Sequence, residues 1–307
     1  MISYNDNIKS GVLHITINVG IVHRFEFLNA LTEMSKKILA SGSEMVYISA
    51  PKDRIQLDRL GMAYFDNLLR MYVRRGKKIY VINWLAKLLN ENVKGMKFET
   101  ISIEETMQGS CANCFCFAKE ADVSEAVEKI AEFIQEHSMV LSRDFLITTI
   151  GEIFSNAFNH SEEDKLYFMY DIEMKNGNYH LVINITDFGK TIVNSVKDYM
   201  AMKNNTHITS NECIKWAIQE GNTTRSTSGG YGLPTLIEYI KAVKGELLIM
   251  SGDSLYALKG VKENILESKG SFFGTSISLK IRLFDTSQVI DYDEEKKQLV
   301  SINLYEL

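Results

Sequence analysis

The sequence lacks the residues that characterise several classes of protein. Its 307 residues include two prolines and four cysteines, which excludes a proline-rich linker and a secreted disulfide framework. No stretch approaches the roughly 20 apolar residues that span a bilayer. The N-terminal Met-Ile-Ser-Tyr-Asn-Asp lacks the basic and apolar regions of a signal peptide. These absences predict a cytoplasmic protein without a membrane segment.

Acidic residues outnumber basic residues in the chain. The chain has 34 Lys and Arg against 39 Asp and Glu, for a net charge of −5, so the basic face of a general nucleic-acid binder is not expected. Hydrophobic residues at 45% and charged residues at 24% are ordinary for a globular protein. The length predicts about two domains of roughly 150 residues each.

Strand-like and helix-like segments alternate through the first hundred residues. A β-branched stretch predicts a strand over 12–20, and apolar residues at helical spacing predict a helix from Phe25 to Gly42. Further segments of both kinds follow, at 45–50 (strand), 57–75 (helix), 77–83 (strand), 84–90 (short helix) and 99–103 (strand). This order predicts a small α/β domain over residues 1–105 with partly parallel strand pairing.

A second domain is expected beyond residues 106–121, which we interpret as the domain junction because the stretch 107–118 within them is uncharged and aperiodic. Two helices are predicted, one from Asp122 and one over 142–160, followed by strands with alternating apolar residues at 166–174, 181–185 and 277–283. Helices followed by such strands predict an α+β domain over 122–284, with helices on one face of a mainly antiparallel sheet. Residues 285–307 would form a C-terminal tail, in which 299–305 could add a strand.

Two polar elements of this domain offer side chains to a ligand. The predicted helix at 142–160 carries four polar residues within an arc of roughly 100°, opposite its apolar side: Glu152, Asn156, Asn159 and His160. A predicted strand ends in Asp187-Phe-Gly189, where the carboxylate could accept a hydrogen bond from a ligand amine and the glycine would let a flat ring approach. Taken singly, the first also fits a solvated helix face and the second a common turn.

Two glycine-containing elements follow. The segment 221–234 is polar, contains Gly229, Gly230 and Gly232, and leads into a helix. Free amides at a helix start form an anion site, commonly for phosphate, to which Arg225 could add a charge-assisted bond; a loop with structural turns only is the alternative. In the last strand, Gly274-Thr275 indicates close approach of a ligand or another backbone, with a bulge as the alternative.

In this order, the four elements resemble the ATP-binding domain of the GHKL superfamily, which includes DNA gyrase, the large cytosolic chaperone ATPases, sensor histidine kinases and MutL. The resemblance covers about residues 121–284 and implies a Bergerat-type two-layer α/β sandwich that binds ATP and Mg²⁺. The sequence has no Gly-x-x-x-x-Gly-Lys-Ser/Thr loop, which removes the P-loop class.

The resemblance also implies a role for each residue. Asn156 would coordinate Mg²⁺, Asp187 with Thr275 would bind the adenine amine beside Gly189, and Glu152 would be the general base. Residues 193–229 would be a mobile lid. The remaining implied contacts to the nucleotide, mostly to its phosphates, are Asn159, His160, Thr224, Arg225, Gly229, Gly230, Gly232 and Leu233.

The sequence departs from the family pattern at two positions. Thr191 replaces the second glycine after Asp187, and Pro234 replaces the last glycine of the Gly-x-Gly-Leu-Gly box. Both would change the mobility of the lid without removing a ligand of the nucleotide. His137 is followed by Ser138, not by the acidic residue of the histidine kinase signature, which argues against self-phosphorylation on histidine.

The N-terminal domain resembles a STAS domain, as in anti-sigma factor antagonists, in its strand, Asp58-Arg59-Leu60-Gly61, helix and strand. Regulated members carry a phosphorylatable Ser or Thr where this chain has Arg59, so a phosphorylation switch at that position is not expected. An unrelated small α/β module is the alternative. Cys111, Cys114 and Cys116 have spacing that could bind zinc, but with no fourth ligand nearby, free thiols are favoured.

The sequence as a whole predicts a GHKL-type ATPase or Ser/Thr-type protein kinase that binds ATP and Mg²⁺ and acts in intracellular regulation. The alternative is a non-catalytic, ATP-gated switch that binds a protein partner through the STAS-like domain. Neither nucleic acid nor membrane is an expected partner, and a homo-oligomer remains open.

Overall fold

A computed structural model of the chain describes residues 2–7, 11–21, 25–51, 59–82, 84–85, 113–117, 150–160, 166–175, 178–225 and 229–283. The chain divides into two compact units, Met1–Cys116 with Ser268–Phe272, and Phe117–Glu267 with Phe273–Leu307. Among the residues that the structure describes, no helix is long and apolar enough to cross a membrane.

The first unit contains a mixed four-stranded sheet in the order β1-β2-β3-β4. Its elements are β1 (Ile2–Asn7), β2 (Val12–Ile17), α1 (Phe25–Ala40), β3 (Met45–Ser49), α2 (Arg59–Arg74) and β4 (Lys78–Val81). β1 is antiparallel to β2, whereas β2, β3 and β4 are parallel, with one helix in each connection between parallel neighbours. The alternation predicted over 12–83 is present, whereas β1 was not predicted, and the strand at 99–103 and most of the helix at 84–90 lie outside the described residues.

The predicted apolar faces of α1 and α2 form the core of this unit. Leu31, Met34 and Ile38 on α1 are buried, as are Tyr64, Leu68 and Met71 on α2. Tyr64 also contacts Phe272, with ring centroids 5.3 Å apart.

A charged pair lies within this apolar surrounding. Arg70 Nε donates to Asp66 Oδ2 at 2.7 Å, and both side chains are buried. Burial raises the pKa of Asp66, and the attraction of Arg70 opposes that shift.

The second unit is α+β, as predicted, and it contains most of a five-stranded sheet with the order β5-β6-β7-β9-β8, of which β5 falls in the first unit up to Cys116. β7 is antiparallel to both β6 and β9. The elements that build this sheet and its helices are β5 (Asn113–Phe117), α3 (Gly151–His160), β6 (Leu166–Lys175), β7 (Asn178–Asp187), α4 (Ile192–Met202), α5 (Ser210–Ala217), α6 (Gly232–Ala242), β8 (Glu246–Lys259) and β9 (Lys262–Leu283).

The helices of this unit pack on its sheet. α3 contacts β6 and β7, while α4, α5 and α6 contact β8. β5 falls within the stretch 106–121 that was predicted to be an irregular junction, so part of that stretch is a strand. The helix predicted from Asp122 and the C-terminal tail at 285–307 lie outside the described residues.

Candidate functional site

A cavity of about 150 Å³ lies within the second unit, between the sheet and the helices α3 to α6. Most of the predicted site residues line it, namely Glu152, Asn156, Asp187, Thr224, Arg225, Gly229, Gly230, Gly232, Leu233 and Thr275. Gly189 does not, and for Asn159 and His160, both in α3, the side chains lie outside the described part of the chain. The structure thus brings together all four of the polar elements found in the sequence.

Asp187 and Thr275 lie side by side at one end of the cavity. They are directly paired across β7 and β9, and both are buried. Gly189 contributes to the site through its backbone, because its N–H donates a hydrogen bond to Asp187 Oδ1 at 3.0 Å. The glycine therefore helps to hold the carboxylate in place.

Gly274 allows the close approach of β7 and β9 at this point. Its φ is +108°, and a Cβ atom there would overlap the carbonyl oxygen of Asp187 and lie 2.6 Å from Phe188 Cα. Approach of a ligand, approach of another backbone and a bulge were the expectations for this glycine, and the structure shows the approach of another backbone. A residue with a Cβ atom at this position would force the backbone of Gly274 or of Asp187 and Phe188 to shift.

Ser251 on β8, which was not predicted from the sequence, contacts three groups, one of which is the Thr275 hydroxyl. Its buried Oγ accepts from Ile192 N–H at 2.8 Å and lies 3.2 Å from the Gly274 carbonyl and 2.9 Å from Thr275 Oγ1. A polar Ser251-Gly252 pair inside an apolar strand is the signal that could have pointed to it.

The start of α6 also lines the cavity. Its N-cap, Tyr231, makes no side-chain capping bond, and Gly232 and Leu233 occupy the first two helical positions, whose N–H groups have no partner within the helix. Pro234 follows at the third position, where the missing N–H costs no helical bond. This geometry leaves two backbone donors for an anion at the cavity wall.

Glu152 on α3 lies directly against this helix start. A Cβ atom on Gly232 would be 2.8 Å from Glu152 Cδ and 3.0 Å from its Oε1. A carboxylate in such a position interacts favourably with the positive end of the helix dipole. A side chain at position 232 would therefore displace the Glu152 carboxylate from its place against the helix start.

The loop between α5 and α6 carries the remaining predicted residues. Its base is closed by a hydrogen bond from Gly221 N–H to the Gly230 carbonyl at 3.1 Å, and Gly230, with a φ of +87°, packs on the Asn222 backbone. Arg225 within the loop donates from Nη2 to Asn156 Oδ1 at 2.9 Å. The loop arginine therefore binds the amide oxygen that was predicted to ligate Mg²⁺.

The predicted mobile lid at 193–229 contains two packed helices. Thr191, which replaces a family glycine, caps α4 by accepting from Asn194 N–H at 2.9 Å. Thr209 and Glu212 form a capping box at the start of α5, and hydrogen bonds from Thr209 lower the pKa of Glu212. Buried residues hold both helices, namely Val193, Val196, Cys213 and Ile214. The non-helical residues that the structure describes in this segment are the connection 203–209 between the helices and the loop after α5.

Apolar side chains that were not predicted complete the cavity. Ile185 and Ile277 lie on the sheet, Ile192 and Val196 on α4, and Trp216 at the end of α5. The Trp216 ring packs on Tyr199, with centroids 5.3 Å apart. The cavity thus combines an apolar lining with a few polar groups, as small-molecule sites commonly do.

Among the described residues, no cluster of three His, Cys, Asp or Glu side chains could hold a metal ion. Cys111 and Asp58 lie outside these residues, and the side chains of Cys114, Cys116 and Arg59 are likewise not described. The zinc and STAS expectations at these positions stay predictions.

Comparison with known proteins adds no family: no family model matches the chain, and no curated protein matches it significantly.

Proposed function

We infer that the second unit binds ATP with Mg²⁺ in this cavity, in the manner of a GHKL-type domain with a Bergerat fold. The observation that carries this inference is the convergence of Asn156, Asp187, the 229–233 segment and Thr275 on one cavity. These residues come from two strands, a helix and a loop that are distant in sequence. Their meeting at one place is what a nucleotide site of this class requires.

The end with Asp187 and Thr275 suits the base. A carboxylate accepts hydrogen bonds from an exocyclic amine, and the neighbouring hydroxyl adds a second polar contact. Ile185 and Ile277 on the sheet and Val196 on α4 provide apolar surface for the faces of a flat ring.

The end with α6 suits the phosphates. The N–H groups of Gly232 and Leu233 point from a helix start, where the dipole favours negative charge. Arg225 can form charge-assisted bonds to phosphate oxygens. Asn156 would hold Mg²⁺ through Oδ1, because a hard cation with several retained waters accepts such an amide oxygen. The metal would neutralise phosphate charge when bound.

Glu152 would act in the hydrolysis of ATP or in the transfer of its γ-phosphate. As a general base it would take a proton from a water, or from a hydroxyl of a protein substrate, while that oxygen attacks the γ-phosphorus and ADP leaves. Water as the nucleophile gives phosphate and an ATPase; a protein hydroxyl gives a phosphoprotein and a Ser/Thr-type kinase. Its position beside Gly232 places the carboxylate near the proposed phosphates.

The second candidate function is a non-catalytic switch. The bond from Arg225 to Asn156 supports it, because nucleotide that recruits either group would change the conformation of the loop. The changed loop would then bind or release a protein, with the STAS-like first unit as the proposed contact surface and an intracellular regulatory role in both cases.

Labelled ATP with Mg²⁺ separates the two candidates. Free phosphate and label on protein are followed for the full chain, Glu152→Gln and a control, Glu220→Gln, at an exposed position of the same unit. If the protein is an enzyme, Glu152→Gln lowers turnover by about 10²- to 10⁴-fold while ATP affinity stays near that of the wild type. Slow turnover that is equal in all three proteins favours the switch, and absence of ATP binding refutes the proposed function.

A further inference from the structure

Ser251 stands out as a residue that touches no part of the proposed nucleotide yet contacts a group that does. We propose that Ser251 fixes the Thr275 hydroxyl as a hydrogen-bond acceptor toward the ligand, and so makes the site select purines with a 6-amino group over purines with a 6-oxo group. The proposal rests on the proposed function, because it concerns the base end of that site.

The hydrogen-bond inventory of Ser251 determines this assignment. A serine hydroxyl has one proton and two lone pairs. The Gly274 carbonyl can only accept, so the Ser251 proton goes there, at 3.2 Å. The backbone N–H of Ile192 can only donate, so it uses one lone pair, at 2.8 Å. Thr275, 2.9 Å away, then donates its own proton to the second lone pair.

This is the one arrangement in which all three contacts of Ser251 are hydrogen bonds. With its proton directed to Ser251, the Thr275 oxygen offers only lone pairs to the cavity. Ser251 is completely buried, so water does not compete for these bonds. Ser251 thereby determines that the Thr275 hydroxyl accepts, and does not donate, a hydrogen bond toward the ligand.

Thr275 does not act alone, because Asp187 is its direct partner across the strands. An ionised carboxylate also only accepts. Directly opposite residues of an antiparallel pair have Cβ atoms about 5 Å apart, so two acceptors face one position in the cavity. A 6-amino group supplies two hydrogens to such a pair, whereas a 6-oxo group presents a third acceptor and is disfavoured.

Removal of the Ser251 hydroxyl would release this constraint. In Ser251→Ala, the Thr275 hydroxyl loses its acceptor and can turn its proton toward the ligand. A 6-oxo purine then gains a donor, while a 6-amino purine loses an ordered acceptor. The ratio of the two affinities therefore changes, which general damage to the fold would not cause.

The test compares ATP with inosine triphosphate, which carries oxygen in place of the 6-amine, on the full chain with Mg²⁺ by calorimetry. We expect the wild type to prefer ATP by about tenfold or more and Ser251→Ala to lose most of that preference, partly through tighter binding of inosine triphosphate. Ser254→Ala is the matched control, since Ser254 is a buried serine of the same strand that bonds Asn211 instead. It should keep the wild-type ratio.

Equal weakening of both nucleotides by Ser251→Ala would overturn the proposal and leave the nucleotide site standing. Failure of the wild type to bind either nucleotide would instead refute the proposed function. If Ser251→Ala does not fold, the affinity of the wild type for a third nucleotide tests the proposal. The triphosphate of purine riboside, which has only hydrogen at position 6, should bind between ATP and inosine triphosphate; binding weaker than or equal to that of inosine triphosphate contradicts the acceptor pair.

Discussion

Arg225 donates from its Nη2 atom to Oδ1 of Asn156 at a distance of 2.9 Å, which joins the loop before α6 to the helix α3. In the proposed function this oxygen ligates Mg²⁺ and this guanidinium binds phosphate. In the free protein the two groups therefore bind each other, and in the proposed function a metal-bound nucleotide would separate them. Nucleotide binding would then replace this hydrogen bond by contacts to Mg²⁺ and phosphate, and the free energy needed to break the bond would lower the observed affinity.

Replacement of Arg225 by Ala should change the preference between ATP and ADP. Mg-ADP gains affinity because the competing bond to Asn156 is gone, while Mg-ATP loses a charge-assisted contact to its terminal phosphate. We expect the ATP-to-ADP affinity ratio to fall about tenfold, as measured by calorimetry. Arg225→Lys keeps the charge without the planar fork and should be intermediate. An unchanged ratio in Arg225→Ala would show that Arg225 serves only the free protein.

Asn156→Ala should abolish the Mg²⁺ dependence of ATP affinity, because no amide oxygen remains for the cation. Titrations with and without Mg²⁺ should then give nearly the same affinity. Asn194→Ala, at an exposed position of α4, is the control and should retain the full Mg²⁺ effect. Wild-type Mg²⁺ dependence in Asn156→Ala would remove Asn156 from the proposed metal site.

Gly274→Ala should cost both stability and nucleotide binding, since a Cβ atom would overlap the Asp187 carbonyl and the φ of +108° is strained for alanine. We expect a loss of about 2 kcal/mol or more in the free energy of unfolding, measured in urea. Gly151→Ala, at the start of α3 with open space around it, should be neutral or slightly stabilising. A similar effect of both substitutions would contradict the close strand approach as the cause.

Asp66→Ala in the first unit should be strongly destabilising, because it leaves the buried Arg70 guanidinium without its carboxylate. Loss of one partner of such a pair costs about 3–5 kcal/mol, which urea unfolding would detect. Asp66→Leu combined with Arg70→Met should recover most of that loss, since it replaces the pair by apolar side chains. A double variant as unstable as Asp66→Ala would mean that the pair has a role beyond mutual neutralisation.

The cavity residues that belong to short motifs could be predicted from the sequence. Asp187 is the last residue of a strand with alternating apolar residues, and Gly232 is the first residue of an apolar helix, so local patterns reveal both. The order of the motifs, together with the resemblance, then assigned them to one site. Their meeting in the structure depends on strand pairing, which local patterns do not specify.

Other parts of the site could not be predicted in this way. Ser251 matters only because β8 brings it behind Thr275, and Trp216 lines the cavity only because α5 packs on the sheet. The predicted lid over 193–229 was drawn from the family pattern, yet Thr191 and the Thr209–Glu212 capping box begin helices there. These caps explain the helices within the segment, and the mobility that the resemblance implies stays a prediction.

The fluorescence of Trp216 would report directly whether ATP with Mg²⁺ binds in this cavity. The chain has two tryptophans, and Trp84→Phe in the first unit leaves Trp216, in the cavity wall, as the reporter. We predict a saturable, Mg²⁺-dependent change in its emission on titration with ATP, weakened about tenfold or more by the isosteric Asp187→Asn. An emission that does not respond to ATP, or a response that Asp187→Asn leaves unaltered, would contradict the account.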